Sequence, residues 1–426
     1  MKKKSVLTLL VIFSCFSWSD YCWGNHEHKD MVSLWDVLVS GETQAGMANN
    51  VEPKLEQYGI DIDLGYTNIY QINANGGLDT SKKAGRYTGS WDLELNFDLE
   101  KISDINNASV FMLVGGSWPR AEGINEQAVG SIFGVNGDAA GRRDIDVYEL
   151  WFEHQLFDGK LQYRIGKLDM AGTFQCSGCP VSFDGSTFAN DETAQFLNAA
   201  LVNNPTIPLP DYGLGAIVNF SPVEAFYVSL GVADAQADGR ETGFNTTFHG
   251  EDDFFYIFET GLLPKFQVNN DNLQGAYRFG LWYDPQAKDK FDGSGIKRDD
   301  NGCYVSFDQE IYKENSEDDQ GLGTFARWGY SSSDVEPELS EFWSAGMQYR
   351  GLFESRDDDV LAAGFAYGTL SDQLDGSDEL AIELYYSIQI SQWSTISPSI
   401  QYIADPGANE DAGDALVFGI RAQMAF

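Results

Sequence analysis

Basic residues are scarce in this chain of 426 residues, which has 27 Lys and Arg against 65 Asp and Glu and a formal net charge of −38. Binding to a nucleic-acid backbone needs basic surface that neutralises phosphates. The composition therefore argues against nucleic acid as a partner. A hydrophobic share of 43% is too high for a disordered acidic chain. We expect the apolar and acidic residues to occupy separate regions of the fold.

Histidine and known catalytic motifs are equally scarce. The chain has four His, and only His154 and His249 lie beyond its N-terminal region. No Gly-x-Ser-x-Gly, P-loop or His-Glu-x-x-His pattern occurs. The sequence therefore predicts neither an enzyme nor a cofactor, and it predicts no metal site.

Cysteine is rare, with five residues in the whole chain. Cys176 and Cys179 are separated by two residues, and in an exported protein a local disulfide is the usual state of such a pair. A thioredoxin-like redox pair would need a βαβ setting, and a zinc site would need two further ligands. Cys303 falls on a predicted strand and is expected to be a lone thiol.

Beyond the N-terminus, no run of about 18 apolar residues exists that would span a bilayer as a helix. The N-terminus itself has three Lys followed by an apolar run, which is typical of a secretory signal peptide over residues 1–24. Residues 25–58 are predicted to be a periplasmic segment with short helices. Residues 59–426 are predicted to form one domain.

The domain from residue 59 onward shows apolar residues at every second position, the period of a strand with one apolar face. In the last strand Leu416, Phe418 and Ile420 alternate with Arg421 and Gln423, and the sequence ends on an aromatic residue. A terminal strand of this kind is typical of outer-membrane β-barrels, with the apolar side facing lipid and the polar side facing a wet lumen. The chain is therefore predicted to be all-β, a transmembrane barrel of about 16 antiparallel strands in the cell outer membrane. The strands are predicted near 60–72, 86–99, 108–118, 143–156, 160–168, 212–220, 224–234, 253–263, 274–284, 302–312, 322–331, 339–350, 359–368, 379–391, 395–403 and 414–426.

Long and short connections alternate along this series of strands. The longest connections are predicted at 119–142, 169–211, 235–252 and 285–301, whereas Phe157–Gly159 is among the tight turns. Long loops on one side and tight turns on the other are the layout of an outer-membrane barrel. A soluble β-sandwich would show the same period of two. It would not explain the alternating loop lengths or the aromatic residues near strand ends.

The polar face of the predicted strands carries a mixture of arginines, carboxylates and tryptophans. Such a mixture suits sugar passage, because charged groups hydrogen-bond hydroxyls and an aromatic ring stacks on the C–H face of a pyranose. The alternative is that the charges only pair with one another along the barrel wall. The candidates for solute contact are Arg86, Glu94, Arg143, Glu149, Trp151, Arg164, Arg278, Trp282, Arg327, Glu383 and Arg421, with Glu153 on the same face.

The connection 169–211 is too long for an idle loop, and its aromatic and proline residues argue against disorder. We expect it to fold into the lumen and narrow it. The alternative is an outward cap that shields the rim.

Several segments resemble the carbohydrate-selective porins of the OprB family. They are Trp91–Glu100, Tyr163–Asp169, and Ser397–Gly407 followed by the closing strand. The resemblance implies a sixteen-stranded barrel that passes small carbohydrates by diffusion without a cofactor. The partners expected for such a barrel are small carbohydrates and outer-membrane lipid. A homo-oligomer is left open, because a lipid-facing surface and a subunit interface are both apolar. The family's Trp-Gly-Gly element ahead of the first strand is replaced here by Leu34-Trp35-Asp36. The competing function is a non-transporting barrel that serves as an adhesin or displays surface loops.

Overall fold

The computed structural model describes residues 55–81, 84–118, 123–139, 141, 143–175, 196–249, 252–268, 271–314, 320–332, 334–409 and 412–425. The predicted signal peptide, nearly all of the N-terminal helical segment, and the Cys176–Cys179 pair lie outside these residues. They stay predictions. Cys303 lies on a strand and is a free thiol, as expected.

The described residues contain nineteen strands, and sixteen of them form a closed antiparallel barrel. The strands are β1 (Ile60–Gly77), β2 (Gly85–Asp98), β3 (Ala108–Trp118), β4 (Arg143–Leu156), β5 (Leu161–Leu168), β6 (Gly213–Val223), β7 (Phe226–Asp234), β8 (Phe254–Leu262), β9 (Lys265–Val268), β10 (Asp271–Asp284), β11 (Lys288–Asp289), β12 (Ile296–Lys297), β13 (Asp300–Lys313), β14 (Gly321–Tyr330), β15 (Leu339–Arg350), β16 (Val360–Leu370), β17 (Asp378–Ser391), β18 (Ser394–Ala404) and β19 (Gly413–Ala425). The barrel closes where β19 pairs with β1, with Gly65 opposite Ala425.

All sixteen predicted strands are present at their predicted places. The strand β1 runs to Gly77, beyond its predicted end, and three short strands were not predicted. Of these, β9 pairs with β10, and β11 and β12 form a hairpin within the long connection after β10. They are too short to show a period of two, so the sequence pattern could not reveal them.

Helices are few and short in the described residues. Besides two helical residues at 55–56, they are α1 (Leu99–Ser103), α2 (Ala199–Val202), a π-helix over Asn125–Val129 and a 3-10 turn over Pro406–Ala408. Asp98 caps α1, because its side chain accepts a 2.9 Å hydrogen bond from the Glu100 N–H. None of the helices described is long and apolar enough to cross a membrane.

The two faces of the barrel wall differ as the alternation predicts. On β19, Phe418 and Ile420 are 44% and 48% exposed, whereas Val417 and Arg421 are each 1% exposed. The apolar exterior is the surface that hydrocarbon would cover. Other strands of the wall likewise expose apolar side chains on the exterior, among them Leu230, Phe279, Phe365 and Ile382. The polar and charged side chains of the wall therefore point inward.

The connection between β15 and β16 is fixed to β17 by one carboxylate. Arg356 donates from Nε and Nη2 to the two oxygens of Asp359 at 2.7 and 2.6 Å, and the Gln389 N–H donates to the same carboxylate at 2.9 Å. The Tyr386 hydroxyl also hydrogen-bonds to it. Burial alone would raise the pKa of Asp359, but the hydrogen bonds from Arg356, Tyr386 and Gln389 outweigh it, so the pKa lies below its ordinary value.

We expect Asp359→Ala to destabilise the barrel by about 1–3 kcal/mol, because Arg356, Tyr386 and the Gln389 N–H lose their common acceptor. Since the folded pKa is lowered, this contribution is complete above the unfolded pKa of about 4 and is lost as pH falls through the folded value. The measurement is the temperature at which the compact band on a heat-modifiable gel converts to the unfolded band. Asp357→Ala, on an exposed residue of the same turn, is the control. Equal shifts for the two variants would contradict the assignment.

Candidate functional site

The connection 169–211 folds into the lumen in both of its described parts, 169–175 and 196–211. It leaves the wall at β5 and returns at β6, yet the N–H groups of Leu197 and Asn198 donate to Glu383 on β17. From β6 through β7, β8, β10, β13, β14, β15 and β16, β17 is eight strands away in a barrel of sixteen. The loop therefore crosses to the opposite wall. The prediction that it narrows the lumen is confirmed, and the outward cap is wrong for these residues.

The start of this loop packs on the wall formed by β7, β8, β10 and β13. Met170 and Phe174 are buried against Phe255, Trp282 and Tyr304. The Trp282 ring stacks on Phe255 with centroids 6.4 Å apart, and it is only 2% exposed. Trp282 thus points inward, as predicted, but the loop covers it.

The returning part of the loop packs farther round the wall, together with the connection between β3 and β4. Phe196 meets Phe325 and Tyr385 at centroid distances of 6.0 and 5.1 Å. Phe133, from the connection between β3 and β4, packs against Phe342 at 6.0 Å. The two inward segments therefore fill the lumen along β14 to β19.

An open cavity of about 370 Å³ lies on the other side of the lumen, along β1 to β5. The start of the long loop, at Asp169, Gly172 and Thr173, borders it. Most of its wall residues lie near the strand ends that the tight turns connect. Tight turns face the periplasm in outer-membrane barrels, so the cavity is expected on the periplasmic side. The wall residues that line it are Asp61, Asp63, Glu94, Asn96, Ser109, Phe111, Leu113, Glu149, Trp151, Glu153 and Arg164.

Trp151 is held rigidly in this cavity. The Arg164 guanidinium lies 4.5 Å from the Trp151 ring centroid, and the Phe111 ring stacks on Trp151 at 4.8 Å. The indole N–H donates to Glu149 Oε2 at 2.8 Å. Gly166 stands opposite Trp151 with φ of +149°, and a Cβ there would overlap the Leu150 carbonyl oxygen. The expected open aromatic face for a pyranose is therefore covered, and the ring edge is what remains for solute.

Arg164 is also tied to the wall on which it stands. Its Nε donates to Glu153 Oε2 at 2.7 Å, and Nη1 lies 3.5 Å from the Thr173 hydroxyl at the start of the loop. The Arg164 side chain is 31% exposed. Part of its donor capacity therefore faces the cavity.

The strand β4 contains two register shifts against β3, one on each side of Gly115 and Val114. At the first shift Tyr148 and Glu149 are both buried on the lumen side. The second shift restores the original alternation before Arg143, which pairs with Ser117. The alternation predicted that Arg143 and Glu149 both face the lumen. This prediction is right only because the two register shifts between them cancel.

The cavity is strongly acidic. Its lining includes six carboxylates and one guanidinium, that of Arg164. Burial, and next the negative charge of Glu149, raise the pKa of the Asp169 carboxyl to about 7, although the Ala171 N–H donates to it at 2.8 Å. The charge of the cavity therefore changes near neutral pH.

The predicted solute contacts fall into three groups. Glu94, Glu149, Trp151 and Arg164 line the cavity, with Glu153. Arg86 hydrogen-bonds to Gln127 of the π-helix, and Arg143 lies 5.4 Å above the Tyr148 ring and 3.9 Å from Asp211. The remaining five residues point inward but are buried beneath the loops: Arg278, Trp282, Arg327, Glu383 and Arg421.

The candidate list omitted Asp61, Asp63 and Asp169, which border the cavity. The signal for the first two was present, because the alternation of β1 already places them on the polar face. Asp169 had no such signal, since it follows the end of β5 and its position depends on the course of the loop.

Comparison with known proteins supports the same class of molecule. The family model described as carbohydrate-selective porin, OprB family, matches residues 82–426. Porin B of Pseudomonas aeruginosa is 25% identical over 412 residues, covering 88% of this chain and 89% of that protein. The putative porin QuiX of Acinetobacter baylyi is 23% identical over 412 residues, covering 88% and 90%.

The fold is also that of a solved porin structure. The high-pH structure of Pseudomonas putida OprB has a TM-score of 0.74 at 21% identity, and the match covers 89% of this chain and 97% of that one. The low-pH structure has a TM-score of 0.56 at 20% identity, with coverages of 90% and 98%. The family match extends over most of the chain and includes fifteen of the sixteen barrel strands in full. The chain therefore belongs to the carbohydrate-selective porins of the OprB family and is a sugar channel of the outer membrane.

Proposed function

We propose that sugars cross this porin along the wall formed by β1 to β5, between that wall and the inward-folded loop. The observation that carries the proposal is the asymmetry of the lumen. Buried aromatic and aliphatic side chains of the loops fill it along β14 to β19, whereas the cavity of about 370 Å³ remains open along β1 to β5.

The lining of this cavity offers the contacts that a diffusing sugar needs. Carboxylates accept hydrogen bonds from sugar hydroxyl groups, and the Arg164 guanidinium donates hydrogen bonds to the hydroxyl oxygens. Each such hydrogen bond replaces one made with water, so its net contribution to the binding free energy is about 0.5–1.5 kcal/mol. A solute held by such bonds is readily released. Weak contacts are required, because a channel that holds its solute tightly conducts poorly. We assign direct solute contact to Glu94, Glu149, Trp151 and Arg164.

The remaining predicted residues have a different role in this proposal. Arg278, Arg327 and Glu383 hold the wall and loops together; Arg278, for example, donates from Nη1 to Asp308 Oδ2 at 2.6 Å. We further propose passive diffusion without catalysis, contact of the apolar exterior with outer-membrane lipid, and assembly as a homo-oligomer. A non-transporting adhesin barrel is the rival, and the open cavity favours transport.

Liposomes that contain the purified protein are expected to swell fastest with monosaccharides and more slowly with longer sugars. Replacing residues 196–203 by a short Gly-Ser linker is expected to raise the single-channel conductance and admit longer sugars, because the segment that reaches β17 is removed. Absence of swelling with any sugar would reject transport and favour the adhesin.

Arg164→Ala is expected to weaken the sugar-induced block of ion current about fivefold. The variant removes a cavity donor worth about 1 kcal/mol and frees the Trp151 ring on one side. Arg350→Ala is the matched control, since Arg350 forms a 2.9 Å ion pair with Asp358 at a turn outside the cavity. An unchanged block constant in Arg164→Ala would show that sugars do not pass this wall.

Ion selectivity is expected to favour cations, because six carboxylates and one guanidinium line the cavity. The preference should increase as pH rises from about 6 to about 8, since Asp169 loses its proton and its charge adds to the others. Reversal potentials in a salt gradient measure this. Asp169→Asn keeps an oxygen for the Ala171 N–H and should flatten the pH dependence. A pH response in the variant equal to that of the native protein would contradict the assignment.

A further inference from the structure

We propose that Glu383 is the positioning residue that sets the size limit of the pore, because it fixes the segment Phe196–Asn203 on the far wall. The inference rests on the proposed function, in which solute passes between β1 to β5 and the inward-folded loop to which this segment belongs. Glu383 touches no solute in this scheme. It acts through the loop.

The contact is a carboxylate that binds two successive backbone N–H groups. The Leu197 N–H donates to Oε1 at 2.9 Å, and the Asn198 N–H donates to Oε2 at 2.8 Å. Glu383 is 1% exposed and projects from β17. The positive charge of Arg421 on β19 also acts on this carboxylate.

The two N–H groups have no helical acceptor, since they come just before α2. The neighbouring polar groups of Leu197 and Asn198 already have other hydrogen-bond partners. Asn198 Oδ1 accepts from the Ala200 N–H at 3.2 Å, and its Nδ2 donates to Gln401 Oε1 at 3.2 Å. The Leu197 carbonyl accepts from the Gly137 N–H at 2.8 Å. Loss of the Glu383 carboxylate therefore leaves two buried donors unsatisfied.

Separate contacts hold the part of the segment nearer to β6. Arg327 Nη1 donates to the Leu201 carbonyl at 2.9 Å, and Asn204 Nδ2 donates to the Trp328 carbonyl at 3.3 Å. Thr206 lies directly over Gly329, where any Cβ would overlap its hydroxyl. Removing Glu383 is thus expected to free the corner at Leu197 and Asn198 while the rest of the loop stays docked.

The barrel wall itself does not depend on this contact. The backbone of β17 pairs with β16 and β18 through a ladder in which Glu383 lies opposite Gly364 and Gln401. Variants at Glu383 should therefore assemble as closed barrels. A side chain that only stabilised the wall would not alter the solute size limit, so that limit is the informative readout.

The test compares two Glu383 variants with the native protein in single-channel conductance and liposome swelling with sugars of graded length. In Glu383→Gln an amide NH₂ replaces one carboxylate oxygen. This NH₂ faces a backbone N–H, and because both groups are donors, one of the two hydrogen bonds to the loop is lost. In Glu383→Asp the charge remains but the carboxylate is about 1.5 Å short of the loop. Both are expected to shift conductance and size limit toward those of the linker variant of residues 196–203.

Glu310→Gln is the matched control for charge. Glu310 lies two residues from the inward-facing Asp308 on β13, and its Oε2 accepts from the Gln274 N–H of the neighbouring strand at 2.7 Å. It should retain native conductance and size limit. Assembly is checked by heat-modifiable migration, and if Glu383→Gln fails to assemble, Glu383→Asp decides alone.

Three results would overturn the inference. The first is native behaviour of both Glu383 variants. The second is a change that follows charge, present in Glu383→Gln and Glu310→Gln but absent in Glu383→Asp. The third is failure of both Glu383 variants to form barrels, which would assign the residue to assembly. By contrast, a native protein that passes no sugar would reject the proposed function, while conductance would still report on the loop.

Discussion

Pairing of β1 with β19 is the constraint on which the rest of the structure depends. Backbone N–H and C=O groups in hydrocarbon have no water to bond, and each unsatisfied group costs several kcal/mol. The ladder from Gly65–Ala425 to Gly77–Gly413 removes that cost by closing the sheet. Once the sheet is closed, the period of two separates the side chains, so that Phe418 lies on the exterior and Arg421 is enclosed. The wall strands of this acidic chain can then carry enclosed charged side chains such as Glu383 and Arg421.

Enclosed charges need partners, and so do the backbone groups of loops that enter the lumen. The structure satisfies both needs with the same bonds. Glu259 on β8 accepts from the Gln175 N–H at 2.7 Å and from the hydroxyls of Tyr227 and Tyr304 at 2.6 and 2.7 Å. Glu379 on β17 accepts from the N–H groups of Ile132 and Gly407 at 3.0 and 2.7 Å. Buried carboxylates on the wall are therefore acceptors for loop backbone that would otherwise be unpaired.

Much of the fold could be predicted from the sequence because the facing of a strand residue is a local property. The alternation placed Arg421 and Trp282 inward, and the structure agrees. It could not show that Trp282 is covered while Trp151 borders an open cavity. Whether a wall side chain is covered depends on where the loop 169–211 packs. The sequence of that loop has no periodic pattern from which its position could be predicted. The register shifts around Tyr148 were equally invisible, since a bulge is set by pairing with β3 rather than by the residues of β4 alone.

The same chemical group serves two opposite purposes in this lumen, and its surroundings decide which. At Glu383 both oxygens meet fixed N–H donors away from water, so the bonds are lasting and the loop is held. Around Arg164 the carboxylates border an open cavity, and along the proposed path each bond that they exchange between water and a sugar hydroxyl contributes little. A selective diffusion channel needs both conditions at once. Its constriction must be rigid enough to reject large solutes, and its path must bind weakly enough to let small ones leave.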